Sequence, residues 1–429
     1  MGAYTGRRLA HRPNEVIAAL LIATLAIGPL ISIPVSERQL ELSPASVLGV
    51  LLAAHLFISA SMQLRRTYHS PPKKAGSILL PASVLLVLPV FVATSFLSAS
   101  AAYANFITGV VIAIFVARAW AQSDRKRIGP IDVGFVAFLV ISCAQLLLQF
   151  IESESAAAFH AADVTNWGGS NYVGGVLVIV SFILLGRSRE LTSASFWLSF
   201  MAAIGLVCAI STLSRSTIVA LGAGAVALLW GAGQHPRARR NFRVAAVVSP
   251  IFTLIVYSAV NTTRFSESAA GGSPNIDARF SLFNMAWNEF LTSPIFGTGW
   301  TTLRDASAEQ IGASNSFAHN FFLSFLQIGG LLALPLFIYV IATWLIAVSS
   351  GHPLSAAATA SIALSMTEPS FEGLIGATIS FATLQYISFT ASQREPLTTS
   401  SVTLQHFGPY QTFHQMRSTH SKVKRSHVP

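Results

Sequence analysis

A polar segment at residues 261–318 and the residues that flank it carry side chains suited to chemistry on an anionic substrate. Arg215 lies in Ser211-Thr-Leu-Ser-Arg-Ser216, Arg279 lies inside the polar segment, and His319 follows it. Guanidinium groups bind phosphate oxygens in pairs, and imidazole titrates close to neutral pH. The three residues would suit a reaction in which a diphosphate leaves and a hydroxyl attacks, with His319 taking the hydroxyl proton.

Small polar residues and glycines beside these three are predicted to bind the donor. The pair Gly297 and Gly299 stands in Pro294-Ile-Phe-Gly-Thr-Gly299, where the absence of side chains lets the backbone approach a ligand closely. Such a pair is equally typical of a simple tight turn. The predicted donor-binding set is Ser214, Ser216, Gly297, Gly299 and Asn320.

Each of the three main residues also has a plainer interpretation. Arg215 can reach lipid headgroups or pair with an acidic loop residue. Arg279 precedes an amphipathic stretch, Phe280 to Leu291, which predicts a helix on the membrane surface with Arg279 at its N-terminal end. In that place Asp277 is a candidate partner for Arg279. For His319, the plainer interpretation is an ordinary histidine at the membrane interface.

The elements that must position these residues are membrane helices, since 52% of the 429 residues are hydrophobic and only 10% are charged. Inside lipid, an open chain satisfies its backbone groups only as a helix. We therefore predict an all-α polytopic fold with a transmembrane bundle over residues 1–391 and a loop at 261–318. The twelve predicted spans are 16–35, 45–62, 78–97, 101–118, 131–151, 171–185, 195–211, 217–232, 244–260, 320–348, 354–367 and 374–391.

The distribution of basic residues sets the predicted orientation. With the N-terminus inside, 22 of the 27 Lys and Arg residues fall on the cytoplasmic side, as the positive-inside rule requires. Both termini are then cytoplasmic, and the 261–318 loop lies on the outer side. The net charge of +10 thus arises from short loops on one membrane face and does not indicate nucleic-acid binding. The basic tail, residues 392–429, is predicted to be disordered.

Cofactor motifs do not occur in the sequence. Cys143 and Cys208 both fall within predicted spans, so they are interpreted as packing residues rather than metal ligands or a disulfide. No Cys/His cluster, phosphate-binding Gly-Lys-Ser loop or Asp-rich pair is present on the predicted outer face. We expect no cofactor and no metal at the site.

These motifs resemble those of the O-antigen ligase and bacterial polysaccharide polymerase superfamily. The resemblance rests on Leu213-Ser-Arg-Ser216, on Arg279 followed by Pro294 to Gly299, and on Ala318-His319-Asn320 leading into an apolar stretch that ends at Gly330. It covers about residues 200 to 348.

The resemblance implies a metal-independent membrane glycosyltransferase of the GT-C type in the bacterial inner membrane. Glycan would move from undecaprenyl diphosphate to an acceptor hydroxyl on the periplasmic face, in surface or exopolysaccharide biosynthesis. Arg215, Arg279 and His319 take the family's functional positions. The implied partners are the lipid-linked donor, a glycan or lipid acceptor and the bilayer, with export or chain-length proteins as further candidates. Ligases, polymerases and protein O-glycosylating enzymes are not separated by these motifs.

Two other classes of protein share the same hydropathy pattern. A secondary transporter also has about twelve spans, but it should carry ionisable residues near the centres of its spans, which are nearly free of charge here. An assembly partner without catalysis would leave the arginine and histidine set unexplained. Acidic residues that could assist are Glu289, Asp305, Glu309, Glu368 and Glu372, and no spacing selects one of them.

Overall fold

The computed structural model describes residues 3–35, 38–52, 100–153, 165, 168–191, 195–212, 214–234, 274–299, 318–368 and 370–391. At 3–12, 32–42, 100–104, 232–234 and 274–278 the description is of the backbone only. The predicted spans 78–97 and 244–260, most of the 261–318 loop and the tail 392–429 lie outside the described residues.

Helices make up most of the described chain, as the apolar composition predicts. Residues 44–52 are also helical. The labelled helices are α1 Ala3–Leu25, α2 Ser100–Gln122, α3 Pro130–Glu152, α4 Ser170–Glu190, α5 Ser195–Ser211, α6 Arg215–Gln234, α7 Pro274–Thr292, α8 Phe321–Gly329, α9 Leu334–Ser349, α10 Ser355–Ser365 and α11 Leu374–Ala391.

Five stretches of the described chain are long and apolar enough to cross a membrane. They are Asn105–Gln122, Pro130–Glu152, Ser170–Glu190, Phe321–Ser349 and Leu374–Ala391. Shorter apolar helices occur at Pro13–Leu25, Ser195–Ser211, Arg215–Gly231 and Ser355–Ser365. The chain is therefore a helical multi-pass membrane protein, while the count of twelve spans stays a prediction.

The first predicted span, 16–35, is wrong in its second half, and the fold is not wholly helical. Helix α1 ends at Leu25, and the chain then forms an antiparallel hairpin of β1 (Ile31–Val35) and β2 (Arg38–Leu42). The cause is local: Gly28 takes a positive φ of 74° and Pro29 follows it, a sequence that ends helices.

Helix α4 is the centre of the described bundle. Residues Val176 to Leu184 are each no more than 2% exposed. A helix that is apolar on every face must be covered on every face. Neighbours α3, α5, α6, α10 and α11 provide that cover.

A buried ion pair fixes one end of α4 to α3. Arg187 Nε donates to Asp132 Oδ1 at 2.8 Å, and a terminal guanidinium nitrogen donates to Oδ2 at 3.1 Å. A second contact joins Arg187 to Glu190. Because Arg187 and Asp132 are each 1% exposed, breaking this pair would leave a buried charge without its partner. The cluster therefore serves the packing of the bundle.

The predicted span 320–348 consists of two helices. Helix α8 ends at Gly329, one turn of 3-10 helix covers Gly330–Ala333, and α9 continues from Leu334. Gly330 has a φ of 56°, which breaks the regular helix and leaves room for the segment that docks there.

Candidate functional site

Three segments that are far apart in the chain meet at one buried carboxylate, Glu368. Ser216 donates its hydroxyl to Oε1 at 2.6 Å, and Arg279 Nη2 donates to the same oxygen at 2.8 Å. His319 Nδ1 lies 3.4 Å from Oε2. We call Ser216, Arg279, His319 and Glu368 the Glu368 cluster. It joins the start of α6, helix α7, the segment before α8, and the loop between α10 and α11.

Exposure differs across the Glu368 cluster. The side chain of Glu368 is 6% exposed, whereas that of Arg279 is 32% and that of His319 is 22% exposed. The distance from His319 Nδ1 to Glu368 is longer than a typical N–H···O bond, so this is a close approach rather than an aligned hydrogen bond. The cluster therefore has a buried anionic centre, with an arginine and a histidine that remain partly accessible.

The start of α6 carries three of the predicted residues. Ser214 Oγ accepts the backbone N–H of Thr217 at 3.4 Å, as an N-cap does, and Ser214 is 1% exposed. Arg215 is the first residue of the helix and has an exposed side chain. Ser216 comes next and points into the Glu368 cluster. Arg215 is thus at the edge of the cluster, one residue from a member of it.

Helix α7 differs from its prediction at its N-terminal end. The helix begins at Pro274, a residue favoured at the first helical position, so Arg279 lies within the helix and not at its start. The free N–H groups of a helix N-terminus are therefore not beside Arg279. The side chain of Asp277 is not described, and the described acidic partner of Arg279 is Glu368.

The backbone before α8 turns sharply to place His319. His319 has a φ of 50°, and it is the non-glycine residue with a positive φ among those that the structure describes. Such strain persists where surrounding contacts hold it, and it is often found at functional sites. Asn320 Oδ1 accepts from the N–H groups of Phe322 and Leu323 at 3.1 and 3.2 Å. Asn320 therefore caps α8 and fixes the backbone that carries His319.

The turn at Pro294 to Gly299 packs against the break between α8 and α9. Thr298 N–H donates to the carbonyl of Gln327 at 2.7 Å, and Gly299 N–H donates to that of Ile328 at 3.0 Å. Gly297 N–H donates to Ser293 at 2.8 Å. Both glycines thus use their N–H groups inside the protein, and a role for either in donor binding stays a prediction.

A carboxylate ties this turn to helix α7. Glu289 Oε2 accepts from Thr298 Oγ1 at 3.0 Å and from Gln327 Nε2 at 3.1 Å. Glu289 and Arg279 lie on the same helix. The turn therefore holds α7, and with it Arg279, against α8.

We expect Gly297→Ala to loosen this arrangement. An added Cβ would lie 2.4 Å from the carbonyl oxygen of Ile328, and the φ of 71° disfavours any side chain. The substitution should lower the free energy of unfolding by about 1–3 kcal/mol, seen as a lower thermal unfolding midpoint. The matched control is Gly222→Ala, where nothing lies within 4 Å of the added Cβ. An equal midpoint for both variants would contradict the packing role.

Opposing effects set the charge of Glu368. Burial raises the pKa of this carboxyl, but His319, Arg279 and Ser216 together outweigh burial and hold the pKa below its ordinary value. Glu368 is therefore ionised at neutral pH. Nearby in the same loop, burial raises the pKa of Glu372 to about 7, against the smaller opposing effect of Ser324.

The lowered pKa of Glu368 predicts a loss of stability in acid. A carboxyl with a depressed folded-state pKa stabilises the fold fully above its ordinary pKa of 4.5, and this stabilisation is lost as pH falls through the folded value. Acidification from about pH 7 to about pH 3 should therefore lower the thermal midpoint more in the wild type than in Glu368→Gln. Equal decreases in both proteins would contradict the assignment.

A comparison of the sequence with known protein families gave one match. Residues 200–338 match the family model described as O-antigen ligase. The matched segment is about a third of the chain, and over this segment the protein is similar to O-antigen ligases. No curated protein gave a significant match to the chain.

The O-antigen ligase segment contains three members of the Glu368 cluster but not its centre. Ser216, Arg279 and His319 lie within residues 200–338, whereas Glu368 lies 30 residues beyond the segment's end. In sequence, Glu368 was one of five acidic candidates. One signal reduces the five candidates to two: Glu368 and Glu372 both lie in a short loop between two apolar helices, where a carboxylate has little room to reach water.

Among the described residues, no three His, Cys, Asp or Glu side chains gather as a metal site would require. The aromatic residues around the site have packing roles. Phe321 contacts Phe371 with ring centroids 4.6 Å apart and Phe325 at 4.9 Å. The contact between Phe321 and Phe371 joins α8 to the loop that carries Glu368. Aromatic packing thus supports the loop that carries Glu368.

Proposed function

We propose that this protein transfers glycan from a lipid diphosphate to an acceptor hydroxyl. The observation that carries the proposal is the meeting of Ser216, Arg279 and His319 at Glu368, in a chain with an O-antigen ligase segment. Such transfer needs a group that stabilises a leaving diphosphate and a group that accepts a proton. The Glu368 cluster and Arg215 supply both types of group.

Arg279 and Arg215 stabilise the leaving diphosphate. Arg279 has five N–H donors on its guanidinium, and its contact with Glu368 orients the group while 32% of the side chain remains exposed. Arg215 is exposed beside Ser216. As the bond between the sugar's anomeric carbon and the diphosphate oxygen breaks, negative charge grows on that oxygen. Two guanidinium groups suit this charge because they bind phosphate oxygens bidentately.

His319 accepts the proton of the attacking hydroxyl. The acceptor oxygen forms its bond to the anomeric carbon as its proton passes to the imidazole. His319 Nδ1 faces Glu368 at 3.4 Å, so the ring's Nε2 is the atom available to the acceptor. The negative charge of Glu368 stabilises the imidazolium that forms. Glu368 acts through His319 and Arg279 and is a positioning residue.

The reaction takes place at the periplasmic face of the bacterial inner membrane, with undecaprenyl diphosphate as the donor's lipid. The concentration of basic residues in the opposite loops supports this orientation. The donor carries its energy in the diphosphate bond, so no nucleotide is required. The product belongs to surface or exopolysaccharide biosynthesis.

Substitution of Arg215 tests the diphosphate clamp. Arg215→Ala should lower transfer by roughly tenfold to a hundredfold without changing the amount of folded protein, because its side chain is exposed. Arg215→Lys should restore only part of the rate, since lysine cannot bind bidentately. The control is Arg127→Ala, which removes a guanidinium whose side chain is 84% exposed. Wild-type transfer in Arg215→Ala would remove this residue from the mechanism.

The function itself is tested in a deletion strain of the native host. We expect the deletion to shorten or detach surface polysaccharide on gels and to accumulate lipid-linked oligosaccharide. Loss of attachment with normal chain length would indicate a ligase, and loss of chain length would indicate a polymerase. Unchanged surface glycan and no accumulated lipid-linked oligosaccharide would overturn the proposal and favour a transporter.

A further inference from the structure

The two cysteines of the chain are neighbours across two helices. Cys143 lies on α3 and Cys208 on α5, 65 residues later in the sequence, and the two thiols are close enough to interact. Both are free thiols and both are partly exposed. The sequence predicted separate packing residues, because it gave no sign that these two helices pair.

A close approach of α3 and α5 one helical turn earlier explains why the two thiols lie near each other. A Cβ added at Gly205 would lie 2.4 Å from Leu139 Cδ1, so only glycine allows α3 and α5 to come this close. Leu139 is four residues before Cys143, and Gly205 is three residues before Cys208. Cys143 and Cys208 are one helical turn further along their helices and lie on the same faces as Leu139 and Gly205, so they lie opposite each other as well. The two helices therefore run in the same direction past this point, and the thiols face each other.

A disulfide requires closely spaced backbones. The Cα atoms of a bridged pair lie about 4.4–6.8 Å apart, which two helices reach only where small residues form their interface. Gly205 provides such an interface one turn from the thiols. Cys208 is also three residues from Ser211, where α5 ends. It is therefore close to the end of the bundle from which the chain continues to Ser214 and Ser216.

We propose that Cys143 and Cys208 form a redox-active dithiol that closes to a disulfide between α3 and α5 in the presence of a disulfide oxidant. One thiolate attacks the oxidant and forms a mixed disulfide, releasing the first thiol of the oxidant. The second cysteine then attacks the mixed disulfide and releases the second thiol. The two cysteines lose two electrons and two protons, and the oxidant is reduced to two thiols.

The disulfide would join two helices that the chain otherwise connects only through α4 and its flanking loops. Such a link restricts the unfolded chain and stabilises the folded one. It would also fix the end of α5 that leads into the start of α6. The proposal stands apart from the glycan-transfer reaction, and its test does not use that activity.

The experiment treats the full-length protein in lipid nanodiscs with 4,4′-dithiodipyridine, a membrane-permeant disulfide. Intact mass spectrometry is performed after the remaining thiols are blocked. We expect the wild-type mass to fall by two hydrogens with no reagent attached, with release of two thiopyridones per chain. Reduction should reverse this change. The oxidised protein should also unfold at a higher temperature than the reduced protein.

Single substitutions provide the controls. Cys143→Ser and Cys208→Ser should each release one thiopyridone and retain one thiopyridyl group as a mixed disulfide, because no second thiol is present to displace it. Wild-type protein that retains one or two thiopyridyl groups would overturn the proposal. So would native wild-type protein that does not react at all, while the denatured chain does.

Discussion

Glu368→Gln should reduce glycan transfer by roughly a hundredfold or more while leaving the protein folded. Glutamine keeps the shape of the side chain and an oxygen that can accept from Ser216 and Arg279, but it removes the negative charge between Arg279 and His319. Without that charge, an imidazolium formed at His319 is no longer stabilised. The measurement is the initial rate of transfer by purified protein, with the thermal midpoint as the check on folding.

Glu372→Gln is the matched control for this prediction. Both carboxyls lie in the loop between α10 and α11, and both are almost fully buried. Because burial raises the pKa of Glu372 to about 7, this carboxyl is mostly neutral at about pH 6, where glutamine is a close mimic of it. We expect wild-type transfer from Glu372→Gln at that pH. A rate for Glu368→Gln as high as that of this control would contradict the role of Glu368.

His319→Asn should reduce transfer by roughly a hundredfold to ten-thousandfold. Asparagine, like histidine, tolerates the positive φ of this position, so the backbone and the Asn320 cap should be retained while the proton acceptor is lost. The loss should therefore appear in kcat rather than in the amount of folded protein. The measurement is kcat and KM for the lipid-linked donor.

Added imidazole provides an independent check on the chemistry of His319. We expect it to restore part of the transfer activity of His319→Ala, because a small base can occupy the vacated space. It should have no such effect on Arg215→Ala. If His319→Asn transferred glycan at the wild-type rate, His319 would not be the proton acceptor.

The helical part of the fold follows from features that are visible in the sequence. Apolar stretches of sufficient length predict helices wherever the bilayer excludes other open-chain structures, as in α3, α4 and α11. The β1–β2 hairpin was not predicted, because its apolar residues directly follow those of α1 and hydropathy alone counts them as part of the same span. Gly28 followed by Pro29 was the signal that should have ended the helix there.

Part of the site could also be predicted from residue types. Cations and an imidazole on a side that is otherwise poor in basic residues selected Arg279 and His319, and the structure brings both to one carboxylate. Glu368 could not be selected, because its role depends on a contact across 89 residues to Arg279 and across 152 residues to Ser216. Spacing along the chain carries no information on such contacts.

The glycines of the Pro294 to Gly299 turn show a second limit on what the sequence can predict. Glycine permits a close approach of the backbone, but the sequence does not say to what. In the structure, Gly297 approaches the carbonyl of Ile328, and Gly330 approaches that of Ile295. The two glycines are therefore complementary partners in one packing contact, which holds α7 in place.

The most direct test of the account is transfer by the purified protein. Membrane extract from the deletion strain supplies lipid-linked oligosaccharide and acceptor, and wild-type protein, His319→Asn or Glu368→Gln is then added. The account predicts that wild-type protein converts the oligosaccharide into a larger glycoconjugate and releases lipid diphosphate in equal amount, while both variants do so far more slowly. No conversion by folded wild-type protein, or equal conversion by all three proteins, would contradict it.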